Sequence, residues 1–350
     1  MIKTILTNEI LQKILQIEKN KDALERVVVP DVISNKLRKN SRKRSSYASN
    51  RIEGNPLTYE QAEMAIDAKN RHFLKPEQEI RDYYIALEML EKKLMRKERL
   101  SMDLILEVQK QIVFGESEEK AGLRGPMPPG MLFAVYDSVT GQPEYIPPLY
   151  SEVPDLMQEL IEYVNNSDDH PVIKSAIFHY QLVTIHPFED GNGRTARILS
   201  DYILKYYGYG FKNLGSLEEY ISYDLDEYYN SLQMGLPALY YDGRNNPPSP
   251  EIWINYYLKI LTLYSSKVLE DTMDETNESM KARLSHLSGK ARAFIDYLKR
   301  NGVSTFSPIE MAVDMGVSNR TIINWSTELC ANGFLEPENA KERVRRYRVL

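Results

Sequence analysis

A twelve-residue run at positions 186–197 constrains this chain more than any other part of its sequence. It reads His-Pro-Phe-Glu-Asp-Gly-Asn-Gly-Arg-Thr-Ala-Arg. A turn bracketed by Gly191 and Gly193 leads into a helix, whose first N–H groups and dipole favour an anion. Arg194 and Arg197, three residues apart, share one face of that helix and can both point at phosphate charge. The run therefore predicts a loop-to-helix turn that binds phosphate groups.

Two further side chains in this run supply chemistry that phosphate transfer requires. His186 is a candidate base, because the pKa of an unperturbed imidazole, about 6.5, lies near working pH. Asp190 offers carboxylate oxygens to a divalent cation. Gly191-x-Gly193-x-x-Ala196 also fits the dinucleotide-binding pattern. We reject that interpretation, because the residues upstream show helical spacing rather than the alternation of a strand.

The same run resembles the signature of Fic-domain proteins, His-x-Phe-x-Asp/Glu-Gly-Asn-Gly-Arg-x-x-Arg, and all eight fixed positions are met. The resemblance implies a mostly α-helical, Fic-type bundle with a small β-hairpin flap. It also implies transfer of AMP from ATP to a Ser, Thr or Tyr hydroxyl of a protein. A minority of the family transfers UMP, phosphocholine or a phosphoryl group instead.

The resemblance also assigns roles to the residues of the run. Asn192 is expected near the α-phosphate and Arg194 at the β-phosphate of ATP. The implied site comprises the base His186, the Mg²⁺ ligand Asp190 and the nucleotide-binding residues Gly191, Asn192, Gly193, Arg194 and Arg197. Phe188 is predicted to pack inward and to hold the loop, and His179 is predicted to be structural.

A helix-to-helix corner is predicted before residue 60. Gly54-Asn55-Pro56 is typical of a helix end. Thr58 is a plausible N-cap with Gln61 at the capping-box position, opening a helix that runs through Ala68.

The same corner carries a second resemblance. Ser49-x-x-x-Glu53-Gly54 is similar to the inhibitory motif Ser/Thr-x-x-x-Glu-Gly/Asn of Fic proteins. The resemblance implies that Glu53 pairs with Arg197 and withholds that guanidinium from the γ-phosphate of ATP. The same glutamate also fits the removal of AMP, a reverse activity of some relatives, and the sequence does not separate the two.

Residues 131–148 predict a β-hairpin, with a first strand over 131–136 and a turn over 137–141. It resembles the Fic flap, which holds the backbone of a target protein as an added strand. A surface hairpin without a binding role is the alternative. The candidate target-docking residues are Gln142, Pro143, Glu144 and Tyr145.

One aromatic residue downstream is a candidate nucleotide contact. A helix is predicted over 222–232, and the resemblance places a Tyr-Tyr pair of this helix beside the nucleotide base. Tyr228 is therefore the candidate for contact with adenine. A core aromatic residue is an equally good interpretation of the same position.

The chain divides into four predicted parts. They are an N-terminal helical region at 1–110 with the inhibitory motif near 49–54, a Fic core at 111–250, a connecting helix or linker at 251–285, and a winged-helix-like domain at 286–350. In the last part, Ser318 is predicted to cap a helix. The part resembles a winged helix-turn-helix, which commonly binds DNA. Its charge is modest, with ten Lys or Arg against seven Asp or Glu, so a protein-docking or dimerisation role competes.

Charge and composition narrow the function classes. The net charge of −6 argues against bulk nucleic-acid binding, and the basic run at 36–44 is interpreted as a solvated face. A single cysteine, Cys330, fits a reducing cytosol. No apolar stretch is long enough to span a bilayer. We therefore predict a cytoplasmic enzyme that uses ATP and Mg²⁺, acts on a protein substrate or on itself, and makes no membrane contact.

One alternative from another class stays open. It is a DNA-binding regulator whose Fic domain senses a nucleotide. The tail and the basic run at 36–44 favour this alternative, whereas His186 and Asp190 disfavour it, since a sensor has no use for a base. A homodimer is also open.

Overall fold

The structure, a computed structural model, describes residues 5–69, 72–115, 120–131, 133–136, 141–234, 250–340 and 343–350. The chain is mostly helical and forms two compact units, Met1–Thr272 and Met273–Leu350. The boundary between the units falls in the part predicted as a connecting helix.

The first unit contains α1 (Asn8–Arg26), α2 (Asp31–Ile52), α3 (Tyr59–Asp67), α4 (Lys75–Met95), α5 (Met102–Ile112), β1 (Val135–Tyr136), β2 (Pro143–Tyr145), α6 (Val153–Asn166), α7 (Pro171–Ile185), α8 (Asn192–Tyr206), a 3-10 turn (Phe211–Asn213), α9 (Leu217–Ile221) and α10 (Leu225–Gln233). Helix α11 (Pro250–Ser285) begins in the first unit. The second unit continues with α12 (Gly289–Arg300), β3 (Thr305–Phe306), α13 (Pro308–Met315), α14 (Asn319–Ala331), β4 (Leu335–Ala340) and β5 (Arg343–Val349).

The corner between α2 and α3 forms as its sequence predicts. Gly54 has φ +85°, the left-handed conformation that glycine adopts at little cost. Its N–H donates to the Arg51 carbonyl at 2.9 Å, and the Asn55 N–H donates to the Asn50 carbonyl at 3.0 Å. This pair of bonds is a Schellman motif. The capping box of Thr58 and Gln61 then starts α3, which confirms that prediction.

The core of the first unit is built around α7. All residues of this helix from Val172 to Leu182 are buried, as expected for a helix that is packed on every side. Ile173 and Ile177 join one apolar cluster with α1 and α11. Phe178 and Leu182 join a second cluster with α4, α5, α6 and α8. The end of α7 is consequently a rigid point from which to hold a side chain.

The helix predicted over 222–232 begins later than expected. Helix α9 ends at Ile221, with Ser222 as its C-cap. Asp224 then caps α10, accepting a bond from the Glu227 N–H at 2.9 Å. An Asp followed by two acidic residues in the first turn is the stronger start signal, because it satisfies the free N–H groups and the helix dipole.

The basic run at 36–44 lies on α2, and its second half is not the solvated face that was predicted. Arg42 pairs with Glu91 at 2.7 Å, Lys43 with Asp67 at 2.6 Å and Arg44 with Glu219 at 3.1 Å. Acidic residues on neighbouring elements therefore neutralise residues 42–44. A charge run alone carries no information about those partners.

The predicted hairpin is present but short. Strands β1 and β2 are antiparallel, with Val135 opposite Tyr145 and Tyr136 opposite Pro143. The register shifts between Val135 and Tyr136. The predicted turn at 137–141 lies largely outside the described residues.

The second unit combines the C-terminal part of α11 and the helices α12, α13 and α14 with an antiparallel sheet in the strand order β3-β5-β4. The Ser318 hydroxyl accepts a bond from the Thr321 N–H at 3.1 Å and so caps α14, as predicted. Phe294, Ile322 and Leu329 are buried in its core. In the described part of both units, none of the helices has the length and apolar character needed to cross a membrane.

Candidate active site

His186 stands at the C-terminal end of α7. Its backbone is left-handed, with φ 49° and ψ 58°, which costs a residue other than glycine about 1 kcal/mol or more. Its Nδ1 lies 3.2 Å from the Val183 carbonyl oxygen. Since a carbonyl accepts, Nδ1 carries the proton and Nε2 holds a lone pair. The imidazole is thus oriented to take a proton at Nε2.

The surroundings of His186 keep the imidazole neutral. Desolvation lowers the pKa of His186 to about 4, and the positive charge of Arg124 acts in the same direction. The Val183 carbonyl and the charges of Glu53 and Asp190 raise the pKa, but they do not offset the effect of desolvation. The ring is therefore in its proton-accepting form at neutral pH.

The loop after His186 is braced from within. The side-chain oxygen of Asn192 accepts from the Phe188 N–H at 3.0 Å, and its Nδ2 donates to the Phe188 carbonyl at 2.9 Å. The Phe188 side chain is fully buried, which confirms that it packs inward. Asn192, expected near the α-phosphate, thus uses both polar atoms of its side chain to close the loop.

Asp190 lies at the mouth of the loop. Its Oδ1 accepts from the Gly191 N–H at 2.6 Å and from the Arg194 guanidinium at 3.2 Å. Its Oδ2 lies 3.7 Å from the Lys120 amine. The described residues contain no group of three or more His, Cys, Asp or Glu side chains that could hold a metal. A single carboxylate suits Mg²⁺, which takes one or two protein ligands and completes its shell with phosphate oxygens and water.

The N-terminus of α8 has no side-chain cap, and Glu53 lies close to it. Gly191, the N-cap residue, has φ 81° and no side chain with which to satisfy the first N–H groups. A Cβ at Gly193 would lie 2.4 Å from a carboxylate oxygen of Glu53 and 3.1 Å from the Arg197 guanidinium. Glycine at this position therefore leaves room for Glu53.

The structure joins Glu53, Ser49 and Arg197. Arg197 donates to the Glu53 carboxylate at 2.6 Å, to the Ser49 hydroxyl at 3.0 Å and to the Ser49 carbonyl at 2.9 Å. Burial alone would lower the pKa of Arg197, but the Glu53 charge raises it above its usual range. Glu53 is the C-cap of α2, where the helix dipole disfavours a carboxylate, so the ion pair compensates.

Tyr228 lies behind Arg197, in the core. It is 1% exposed, and its hydroxyl lies 3.0 Å from Nε2 of the buried His179. The structure therefore places Tyr228 beneath the site rather than at its surface. The next residue, Tyr229, is 49% exposed, and its hydroxyl donates to the Ile52 carbonyl at 3.4 Å. Sequence reasoning did not separate the two members of the pair, because that depends on which face of α10 is covered.

The β1–β2 hairpin, the predicted flap, contacts the end of α7 through Tyr145, whose hydroxyl donates to the Thr184 carbonyl at 2.6 Å. Gln142 is exposed and Pro143 partly buried. The side chain of Glu144 lies outside the described residues. Of the four candidate docking residues, Tyr145 thus anchors the flap to α7.

Two residues that the sequence did not single out shape the loop. The buried amide of Gln109 donates to the Asp190 carbonyl and to the Lys120 carbonyl, both at 3.1 Å. The buried Arg124 donates to the His186 carbonyl at 2.8 Å. Their sequence signals are weak: a glutamine on an apolar helix face, and an arginine in a Gly- and Pro-rich segment.

Comparison with known proteins agrees with this geometry. Residues 99–204 match the Fic/DOC family, and this range contains the signature run. The chain contains a Fic domain. The chain is similar to proteins named protein adenylyltransferase Fic. It is 28% identical to that of Drosophila grimshawi over 207 residues, covering 57% of this chain and 40% of that protein. It is 32% identical to that of Drosophila willistoni over 172 residues, covering 47% of this chain and 32% of that protein. The chain thus spans less than half the length of these curated relatives.

Solved structures share the fold. A Fic family protein from Desulfovibrio desulfuricans superposes with a TM-score of 0.64 at 21% identity, covering 100% of this chain and 98% of that chain. A Fic domain-containing signalling protein from Bacteroides thetaiotaomicron superposes with a TM-score of 0.59 at 23% identity, covering 75% of this chain and 98% of that chain. These similarities show a Fic helical fold with a small sheet.

Proposed function

We propose that this chain transfers AMP from ATP to a Ser, Thr or Tyr hydroxyl of a protein, itself included. One observation carries the proposal. A neutral imidazole with its lone pair on Nε2 stands at the loop whose far end is the N-terminus of α8, which has no side-chain cap. A base and an anion site on one short loop suit transfer of a phosphate-linked group. The named relatives support AMP as that group.

The nucleotide would bind along the start of α8. The N–H groups that follow Gly191 would donate hydrogen bonds to its phosphates, and the guanidinium of Arg194 would add positive charge. Asp190 would hold Mg²⁺, which supplies neutralisation of phosphate charge. Tyr229, as the exposed member of the tyrosine pair, is better placed than Tyr228 to border the base.

His186 would act on the hydroxyl of the target. Its Nε2 accepts the hydroxyl proton while the hydroxyl oxygen attacks the α-phosphorus of ATP. A new oxygen–phosphorus bond forms, and the bond from the α-phosphorus to the bridging oxygen breaks. Pyrophosphate leaves with that electron pair, and the AMP group stays on the target.

The contact between Glu53 and Arg197 would restrain this reaction. While Glu53 holds the guanidinium at 2.6 Å, Arg197 is withheld from the γ-phosphate. The close approach of Glu53 to Gly193 also crowds the start of α8. Use of Glu53 in the removal of AMP is the alternative role of the same carboxylate.

Intact-mass spectrometry after incubation with ATP and Mg²⁺ tests the proposal. We expect an AMP-sized increase in Glu53→Gly, a smaller one in wild type and none in His186→Ala, which should still bind ATP. Glu53→Gln is the matched control, because it keeps the shape and removes the charge. A phosphate-sized increase would indicate phosphoryl transfer. An increase in His186→Ala equal to that in Glu53→Gly would exclude His186 as the base.

DNA binding by the second unit is a second candidate function. Its order of helices and strands suits a winged helix, in which α14 would enter the major groove. Arg320 and Asn324 are exposed on α14, and Arg346 and Arg348 are exposed on β5. Fluorescence anisotropy with a duplex would show binding that weakens with salt and with Arg320→Ala, and that persists in His186→Ala. Salt-independent binding, or none, would exclude this function.

A further inference from the structure

Arg124 links the flap to the base. It lies in the segment between α5 and β1, and only 5% of it is exposed. Its backbone N–H donates to the Pro187 carbonyl at 2.9 Å, and its Nε donates to the His186 carbonyl at 2.8 Å. Its terminal nitrogen donates to the Pro148 carbonyl at 2.5 Å. Arg124 therefore binds the successive carbonyls of His186 and Pro187 and also the chain shortly after β2.

A stacked ring adds a second link on the same side. The Arg124 guanidinium lies 4.7 Å from the ring centre of Phe133, which precedes β1. The Phe133 ring in turn lies 5.9 Å from the His186 ring, tilted by 51°. Phe133, just before the first strand of the flap, thus lies close to both the guanidinium and the imidazole.

The backbone of His186 needs such a support. The left-handed conformation at φ 49° is unfavourable for histidine and persists only where the surroundings impose it. Arg124 donates a hydrogen bond to the carbonyl of this residue. The ring is then set by the bond from Nδ1 to the Val183 carbonyl. Loss of the bond from Arg124 to the His186 carbonyl would therefore free the His186 ring from the Val183 carbonyl.

We propose that Arg124 is a positioning residue that couples the flap to His186, so that the flap arms and the orientation of the base move together. The contacts stand on their own; the consequence for catalysis rests on the proposed function. Arg124 binds the carbonyls of His186 and Pro187, and its role is to hold the base that receives the proton.

The charge of Arg124 provides a spectroscopic signature. Desolvation is the main cause that lowers the pKa of His186, and the groups that face the ring are Arg124, Glu53, Asp190 and the Val183 carbonyl. Of these, Arg124 lowers the pKa further and the others raise it. Removal of the Arg124 charge therefore raises the pKa of His186, provided that the ring keeps its place. A ring released into water moves the same way, towards about 6.5.

The test follows the imidazole signals of the full chain by NMR, free of metal and nucleotide, with His186→Ala used for assignment. Arg124→Met keeps a side chain of similar volume but removes the positive charge and the hydrogen-bond donors. Arg124→Lys keeps the positive charge but removes the planar guanidinium that binds several acceptors at once. We expect Arg124→Met to raise the pKa of His186 and to mix its tautomers, and Arg124→Lys to mix the tautomers with a smaller pKa change.

Arg81 provides a matched control. It also donates to carbonyls, those of Ala65, Ile66 and Ala68, and it stacks on Phe73 at 4.0 Å. Arg81→Met should leave the His186 signals unchanged. Unchanged His186 signals in a folded Arg124→Met variant, or equal changes in Arg81→Met, would overturn the proposal. Far-UV circular dichroism establishes whether each variant is folded. If Arg124→Met is not folded, Arg124→Lys takes its place in the test.

Kinetics in a Glu53→Gly background give a second readout. We expect Arg124→Met to lower kcat for self-modification roughly tenfold to a hundredfold with little change in the KM for ATP. A rise in KM at constant kcat would contradict a role in positioning the base. If the parent Glu53→Gly transfers nothing, the proposed function fails, while the NMR result still decides the coupling of Arg124 to His186.

Discussion

The signature loop and the end of α2 meet at Arg197, yet they are held in different ways. The loop lies between α7 and α8, and the Phe188 side chain beneath it is fully buried in an apolar cluster. Helix α2 meets its neighbours through polar groups. Ser41 donates to the Gly215 carbonyl at 2.5 Å, and Ser45 donates to Glu218 at 2.9 Å. A buried aromatic ring thus supports the loop in addition to its hydrogen bonds, whereas hydrogen bonds of serine side chains are prominent along α2.

The difference explains which partner of the ion pair is able to leave. The Arg197 side chain is 1% exposed, whereas the Glu53 side chain is 40% exposed. Glu53 is able to swing into water, but a guanidinium left buried without a partner is costly. A phosphate group is a suitable replacement, because it accepts from arginine as a carboxylate does. The geometry thus suits exchange of Glu53 for a nucleotide.

The largest expected effect comes from a substitution that disrupts the packing beneath the signature loop. Phe188→Ala should lower the free energy of unfolding by about 3–5 kcal/mol, because it opens a cavity beneath the loop. Urea denaturation measures this change. Phe114→Ala is the control, since Phe114 is 52% exposed and should change the stability little. A loss below about 1 kcal/mol for Phe188→Ala would show that the loop is not held by packing.

The next effect concerns pH and the core beneath Arg197. Burial lowers the pKa of His179 to about 3, and the charge of Arg197 acts in the same direction. In the unfolded chain this imidazole has a pKa of about 6.5. The unfolded state therefore binds a proton that the folded state does not, and stability falls as the pH falls from about 6.5 towards 3.

The measurement is urea denaturation at pH 6.5 and 5.0 in wild type and His179→Gln. Wild type should lose about 2 kcal/mol more than the variant over this range. The carboxylates titrate alike in both proteins, so the difference reports His179. Equal losses would contradict a neutral, buried His179.

A smaller effect is expected when the ion pair of Glu53 and Arg197 is removed. Glu53→Gly should tighten ATP binding about tenfold, equivalent to about 1.4 kcal/mol, because the nucleotide no longer displaces a carboxylate from Arg197. Isothermal titration calorimetry measures the affinity. The free energy of unfolding should also fall, because the buried Arg197 loses its acidic partner and keeps only its two bonds to Ser49. Unchanged affinity would remove Glu53 from the control of nucleotide binding.

The smallest effect is expected from the loss of a single serine hydroxyl on α2. Ser49→Ala removes one acceptor of Arg197 and leaves the Ser49 carbonyl and Glu53 in place, so it should cost about 0.5–1.5 kcal/mol of stability. Nucleotide binding should tighten less than in Glu53→Gly. Ser46→Ala is the control, because the Ser46 hydroxyl bonds to the Arg42 carbonyl of its own helix. Equal nucleotide affinities of the two serine variants would show that Ser49 does not help to hold Arg197.

Local signals in the sequence determined much of this protein. The eight fixed positions of the signature, the glycine after Glu53, the capping box at Thr58 and the N-cap at Ser318 each specify a conformation through neighbours a few residues away. For that reason they were readable before any fold was known. The resemblance also pointed to the contact of Glu53 with Arg197, which the structure contains; its inhibitory effect stays a proposal.

The tertiary structure alone decided the rest. Tyr228 is buried in the core, whereas Tyr229 is exposed. Arg42, Lys43 and Arg44 pair with acidic residues of neighbouring elements, and Arg124 donates to the His186 carbonyl. Each of these contacts joins residues that are distant in sequence. Such a contact depends on which helix faces are covered and on which carbonyls lack a partner, and these are properties of the packed chain rather than of any local run.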